Sequence, residues 1–338
     1  PNLLGYLSLR VVTGVMVVGW GISMGLLLSG DPSVWAWIAV AKAADQITDL
    51  IAGWCLRKNQ PVRASWPIVL GRIFGFAAVL YGCAFAGSLA VAMALSALIS
   101  LFVGFVVAPL NAFWHERPAL PISLRHLLMQ MTNLARVASP LSVAASAGSV
   151  ASFSPRYVLE RAHGLVAVGE LGLITTFASL PNVAFSAITQ ASLSPLASAV
   201  RDLDRSRFRK QITRLFYFVS ALGLSYAVVM FSWGSALIGL AIGSAFTSNQ
   251  WVWFWAAFSV ALSAPIWVLD VLLMVANDYR AQMLSSLLGL VVSVVLAVVL
   301  IPPLALPGAV LSGAVTATFL LALKASLVRK SIRGIQWS

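Results

Sequence analysis

Charge is what this sequence has least of. Of its 338 residues only 9% are charged; Asp and Glu together number 10, and there are 3 histidines. A soluble domain carries about 25% charged residues, so this chain cannot cover itself with polar surface, and lipid must be its solvent. Cysteine is nearly absent too. Cys55 and Cys83 both lie in apolar runs, which excludes a disulfide framework and a CxxC metal site. No HExxH, GxSxG, P-loop or paired His/Cys spacing occurs, and His115, His126 and His163 fall in loops or at span edges. Metal, serine-nucleophile and nucleotide chemistry are thereby excluded, and no cofactor is implied. No polar segment is long enough for a soluble catalytic domain. Movement of a substrate is the better reading.

What is present is hydrophobicity: 60% apolar residues and a mean hydropathy of +0.93. The chain holds roughly ten apolar runs long enough to cross a bilayer. They are read at 4–28, 34–56, 66–85, 89–112 and 127–150, then 165–193, 215–233, 251–275, 283–301 and 308–327. The stretch Ala236–Phe246 is short and Gly-rich, and reads as a loop or half-inserted piece. The expectation is an all-α, polytopic membrane helix bundle in two lobes. Residues 1–113 form a lobe of four helices, 114–126 a cytoplasmic linker with Pro118 and Pro121, and 127–338 a lobe of six.

The net charge of +12 needs no nucleic acid, because cytoplasmic loops collect Lys and Arg. Alternate connectors hold sixteen basic residues, from Arg57, Lys58 and Arg63 through Arg201–Arg214 to Lys324 and Arg333, whereas the opposite connectors hold only Arg156 and Arg161. Both ends of the chain are therefore expected in the cytoplasm, with the protein in a bacterial inner membrane. The basic run Arg201–Arg214, interleaved with Leu203 and Phe208, reads as an amphipathic segment that anionic lipid headgroups would anchor.

An ionisable residue inside a span is expensive and points to function. Lys42, Asp45, Asp49, Arg72, Arg136, Glu170 and Asp270 are read as such positions. Lys42, Asp45 and Asp49 follow i, i+3, i+7 and share one helix face. At 1.5 Å rise per residue, Arg136 and Asp270 lie roughly 14 Å from the cytoplasmic helix ends, and Glu170 lies near the external end. The other six are within reach of one chamber open to the cytoplasm. Two simpler arrangements compete: Lys42 paired with Asp45, and Arg72 reaching to the inner surface. Arg136 needs an anion at that depth, either an internal carboxylate such as Asp270 or the substrate. Pro140, Pro181 and Pro265 bend their spans; Pro181, Asn182 and Gln190 place polar groups beside one such bend. Trp251, Trp253 and Trp255 read as an interfacial aromatic belt.

The segment Ser154–Phe177, with Pro155, Arg156, Tyr157, Glu160, Gly164 and Gly169 forming a PRY-type turn into the next helix, resembles the Wzx-type polysaccharide-biosynthesis exporters. Ser194-Pro195-Leu196 and Asp204 to Lys210 resemble that family's cytoplasmic connector. The resemblance covers Leu127–Arg333 well and the first four spans loosely. It implies the superfamily of multidrug exporters and lipid flippases, with two six-helix lobes, so that two helices would precede Pro1. It further implies export of a lipid-linked oligosaccharide of the polyprenyl pyrophosphate type, coupled to a proton or sodium ion. Lys42, Arg72 and Arg136 would then serve the phosphates or head, while Asp45, Asp49 and Asp270 would hold the arginines, meet sugar hydroxyls or bind the ion. Two alternatives stay open: a cation-coupled multidrug exporter of the same superfamily, and an integral-membrane enzyme acting on polyprenyl-linked sugars.

Overall fold

The computed structural model describes residues 3–27, 31–57, 60–113, 124–242 and 249–333, all of them in helices and tight turns. The helices are α1 (Leu3–Leu27), α2 (Pro32–Arg57), α3 (Pro61–Phe85), α4 (Leu89–Phe102), α5 (Ala108–Phe113), α6 (Leu124–Arg201), α7 (Arg205–Ile242), α8 (Gln250–Val275) and α9 (Tyr279–Arg333); a π-helical turn, Val103–Val107, joins α4 to α5. Among the described residues, six stretches are long and apolar enough to cross a membrane: 62–85, 89–110, 131–201, 205–236, 250–275 and 279–333. The protein is a multi-pass membrane protein. Most of the linker read at 114–126 lies outside the described residues; helix α6 already begins at Leu124.

Two of the helices are double. The 78 residues of α6 are broken only at Gly164 (φ 81, ψ 179), and the 55 residues of α9 only at Ala305 (φ 53, ψ −129). The sequence suggested loops at Ser152–Gly164 and Pro302–Pro307. Instead the first limb of α6 stays helical through Pro155 to His163, because a proline deletes one hydrogen bond without reversing the chain. The break needs a positive φ, in a region that only glycine enters freely. Across the two breaks, His163 Nε2 donates to the Ile301 carbonyl at 3.1 Å. That carbonyl would normally be satisfied by the N–H of residue 305, where α9 breaks. The stretch read as a loop or half-inserted piece from Ala236 is helical as far as Ile242, and 243–248 lie outside the described residues.

The chain divides into two compact units, Pro1–Val137 and Ala138–Ser338. Unit 1 packs on small residues, as membrane helices do where no hydrophobic force separates lipid from partner. A Cβ added at Gly21 would come 2.4 Å from the Ala39 side chain, and one at Gly82 would come 2.4 Å from Ala92 Cα. At Gly104, in the π-helical turn, it would come 2.9 Å from the Ala44 carbonyl. This approach fixes one side of α2: Ala44, Ile47, Thr48, Ile51, Ala52 and Cys55 are buried at helical spacing, and Lys42, Asp45 and Asp49 are left on the adjoining face.

Unit 2 has two apolar clusters. One gathers Leu159, Leu171, Ile174, Met230, Trp253, Val260 and Ile301; the other gathers Phe185, Leu196, Phe208, Leu215, Val219, Val268 and Leu273. Trp253 is therefore not part of an aromatic belt. It is 2% exposed against 63% for Trp251, because its ring lies over Gly234, where a Cβ would meet ring carbon Cε3 at 2.4 Å. Helix α8 starts on Asn249, whose side chain accepts from the Trp251 N–H, and α9 starts where Asp278 accepts from the Ala281 N–H. These caps satisfy helix donors that have no partner within their own helix.

Candidate functional site

In unit 1 the charged face of α2 meets α3. Arg72 Nη1 lies 3.2 Å from Asp45 Oδ2, and Lys42 Nζ lies 3.5 Å from the same oxygen. Arg72 is thus held by a carboxylate rather than reaching alone to a surface. Both cations keep more than 60% of their side chains exposed, so the pairs are weak, of the order of 0–1 kcal/mol. Asp49, Thr48 and Ser100 join Asp45 and Arg72 around a cleft of about 10 Å³. That volume is at the limit for one water, so nothing the size of a sugar enters it. Arg10 of α1 lies inside the first apolar run, an ionisable position that the sequence reading did not include.

In unit 2 Asp270 of α8 receives Lys324 Nζ at 2.5 Å, and Lys324 is 5% exposed. Lys324 had counted among the cytoplasmic connector residues; α9 is long enough to carry it into the packed interior instead. Asp270 thus has a basic partner within its own unit. On α6, Arg136, at the end of unit 1, has an exposed side chain, and Glu170 of unit 2 is half-buried near the start of the second limb.

One turn above that pair opens a cavity of about 560 Å³. Its walls carry Ser152, Thr175, Thr176, Ser179 and Asn182 from α6, Ser259 and Ser263 from α8, and Ser293 and Thr316 from α9. Ile266 and Leu320 also line it, and Asp270 and Lys324 follow them by four residues each, one helical turn. The sole charged residue among the lining residues is Arg156, and none is a carboxylate. Arg156 Nη2 donates to Thr175 Oγ1 at 2.8 Å, its Cζ lies 5.3 Å from the centre of the Phe153 ring, and its Nε is buried without an acceptor. Asn182 Oδ1 accepts a long hydrogen bond, 3.4 Å, from Trp267 Nε1, which leaves its amide nitrogen for a guest. The cavity therefore offers a guanidinium donor, the Asn182 amide and many hydroxyl oxygens with lone pairs free to accept, most of whose own protons go to helix carbonyls such as those of Ser149, Gly172 and Val260.

Arg156 had been read as a connector residue, and the hydroxyl wall was not anticipated. Both carry a signal: Ser152 and Arg156 are four apart, and Thr175, Ser179 and Asn182 follow i, i+4, i+7. So do Ser259, Ser263 and Ile266. Each set is one stripe on one helix. Gln190 lies outside the cavity and donates to Ser186 Oγ at 2.9 Å.

Solved structures share this fold over nearly the whole chain. A MATE transporter in a bent conformation superposes with a TM-score of 0.76 at 15% identity, covering 97% of this chain and 78% of that one. The fold is that of the MATE transporters. The outward-facing conformation of a multidrug-resistance MATE transporter of the MOP superfamily gives 0.73 at 14% identity, over 99% of this chain and 79% of that one. A MOP-superfamily transporter from Pyrococcus furiosus, described by the reverse polarity of its binding pocket, gives 0.71 at 13% identity, over 97% and 79%. By sequence the chain is similar to the capsular polysaccharide biosynthesis protein CapF of Staphylococcus aureus, 22% identical over 173 residues. That match covers 51% of this chain and 44% of CapF, so it spans less than half of the relative's length. No protein-family profile matches.

Proposed function

We propose that this chain is a flippase-type transporter of the MATE fold that moves a lipid-linked oligosaccharide from the cytoplasmic to the periplasmic leaflet by alternating access. The observation that carries the reading is the polarity of the unit 2 cavity: hydroxyls, one guanidinium and no carboxylate. A sugar head presents hydroxyls that donate and accept, and its pyrophosphate link presents anionic oxygens suited to a guanidinium fork. An apolar cation would find no counter-charge there. The match to a capsular polysaccharide protein supports the same substrate class.

In this reading the two limbs of α6 and of α9 each cross the membrane, giving ten crossings with α1 to α4, α7 and α8, and the basic connectors lie in the cytoplasm. Unit 1 serves as the first lobe and unit 2 as the second. The cavity then sits in the outer half of unit 2, beside the Gly164 and Ala305 reversals, where the head is released. Lys42, Arg72 and Arg136 assist the anionic head on its way, and Asp45 and Asp49 suit a coupling proton or sodium ion.

The runner-up is a cation-coupled multidrug exporter, favoured by the Asp45 and Asp49 carboxylates of unit 1 and by the multidrug MATE neighbours. Deleting the gene separates the two. The proposal expects a lipid-linked sugar to accumulate inside the cell, with restoration by the wild-type gene and not by an Arg156→Gln copy. Unchanged lipid-linked sugar together with new sensitivity to cationic drugs would instead establish the multidrug reading.

A further inference from the structure

The turn between α6 and α7 builds a second recess, apart from the cavity above. Helix α6 ends at Arg201, Leu203 takes a left-handed conformation (φ 54), and α7 starts on Asp204, whose Oδ1 accepts from the Arg207 N–H at 2.9 Å. Phe208, 4% exposed, locks the turn into the apolar cluster. On its outer side an open basic recess is lined by Arg205, Arg209, Lys210 and Arg214 together with Asp202 and Asp204. Lys210 and Arg214 also line a second, mostly apolar cavity of about 660 Å³, walled by Ile188, Pro195, Leu196, Leu215 and Phe218.

The charges are not equivalent. Arg207 is bridged to Asp202 at 3.8 Å, whereas no carboxylate among the described residues lies within ion-pair distance of Lys210 or Arg214. These two are four residues apart and project together from one face of α7. Between them in sequence, Gln211 lines the same cavity, and its Oε1 is buried without a hydrogen-bond donor. From α6 the Ala191 carbonyl faces a missing donor, because Pro195 has no N–H to give it. The recess thus offers two uncompensated cations, two oxygen acceptors and, about 12 Å further along α7 at 1.5 Å per residue, an apolar slot ending at Phe218.

We propose that this recess is a binding site for an anionic glycerophospholipid whose headgroup carries hydroxyls. Lys210 and Arg214 hold the phosphate, Gln211 Oε1 accepts from a headgroup hydroxyl, and one acyl chain lies along Leu196, Leu215 and Phe218. A zwitterionic lipid would bring its own cation against two others, and a free phosphate would leave the apolar slot unfilled. A basic segment at a membrane surface gains about 1 kcal/mol per Lys or Arg from anionic lipid, so two such residues set an expected selectivity of about thirtyfold.

The test uses the full chain, delipidated in detergent, with lipid binding followed by native mass spectrometry and by thermal shift. Phosphatidylglycerol is expected to bind about thirtyfold more tightly than phosphatidylcholine, and inorganic phosphate to give no shift. The Lys210→Gln/Arg214→Gln pair should lose the selectivity while its melting point without lipid stays near wild type. Gln211→Leu should lose only the preference of phosphatidylglycerol over phosphatidic acid. Equal binding of the two phospholipids, or selectivity retained in the double variant, overturns the site. A polyprenyl phosphate that binds there and excludes phosphatidylglycerol overturns the glycerophospholipid and assigns the recess to the transported lipid. Arg156→Gln should keep full lipid selectivity, so failure of the transport reading leaves this site standing.

Discussion

The two units handle polarity in opposite ways. Unit 1 gathers Lys42, Arg72 and Asp45 into mutually compensating pairs whose cations remain largely exposed, around a cleft that holds a water at most. Unit 2 spreads polarity over hydroxyls on three helices and leaves one arginine short of acceptors, while one turn from the cavity the buried Lys324 is paired with a half-buried Asp270. The difference teaches that charge density and site are not the same thing. Compensated charges satisfy each other. An undersupplied guanidinium among hydroxyls has capacity left for a guest.

The contrast breaks most visibly at the ion pairs. Removing one partner of a buried pair strands the other charge, at about 3–5 kcal/mol, whereas replacing both with apolar residues is near neutral. Lys324→Met or Asp270→Leu alone should therefore melt far below wild type in detergent, and the double variant should recover most of the loss. In unit 1, Asp45→Asn should cost no more than about 1 kcal/mol by the same measurement. If the two single losses are alike, the units do not differ as described.

The two helix breaks of unit 2 sharpen the comparison next. Gly164 sits in a region that glycine alone enters freely, so Gly164→Ala should cost about 1–3 kcal/mol although open space surrounds the added Cβ. Ala305 holds a positive φ without that freedom, and Ala305→Gly should raise stability by about 1 kcal/mol. Thermal unfolding of the two variants should move in opposite directions.

The smallest effect lies at the start of α2, where Asp31 Oδ1 accepts from the Ser33 hydroxyl at 2.7 Å and the Ser33 N–H at 2.9 Å. These bonds, the hydroxyl first, hold the exposed Asp31 carboxyl below its ordinary value. A lowered folded value means that the cap is present above the unfolded carboxylate range and is lost as pH falls through the lowered one. Ser33→Ala should move the Asp31 carboxyl resonance in a carbon-13 titration back up toward the ordinary range.

Much of the bundle was legible because lipid leaves little choice: apolar runs of the right length become helices, and polar loops punctuate them. Both helix breaks fall inside the connectors read at 152–164 and 302–307, but the helices run further into them than expected because a single residue of positive φ makes each break. Trp253 was misread because its burial depends on Gly234, a contact that no local pattern reveals. The charged face of α2 could be read from spacing alone. The cavity of unit 2 was not seen, since serine and threonine cost little in a membrane helix and satisfy themselves on the preceding turn, as Thr176 does on the Gly172 carbonyl at 2.8 Å. Lys324 was hidden by lying five residues before Arg329, where the basic end of its helix begins.

The most direct measurement is head-group transport in proteoliposomes loaded with a fluorescent lipid-linked oligosaccharide, comparing wild type with Arg156→Lys, Arg156→Gln and Ser259→Ala/Ser263→Ala. A charge-assisted hydrogen bond is worth about 1.5–3 kcal/mol, so Arg156→Gln should slow transport by at least about tenfold, with Arg156→Lys between it and wild type and the serine pair weakened less. Wild-type rates in a folded Arg156→Gln protein, with transport lost instead in Asp45→Asn, would contradict the account and move the substrate site to unit 1.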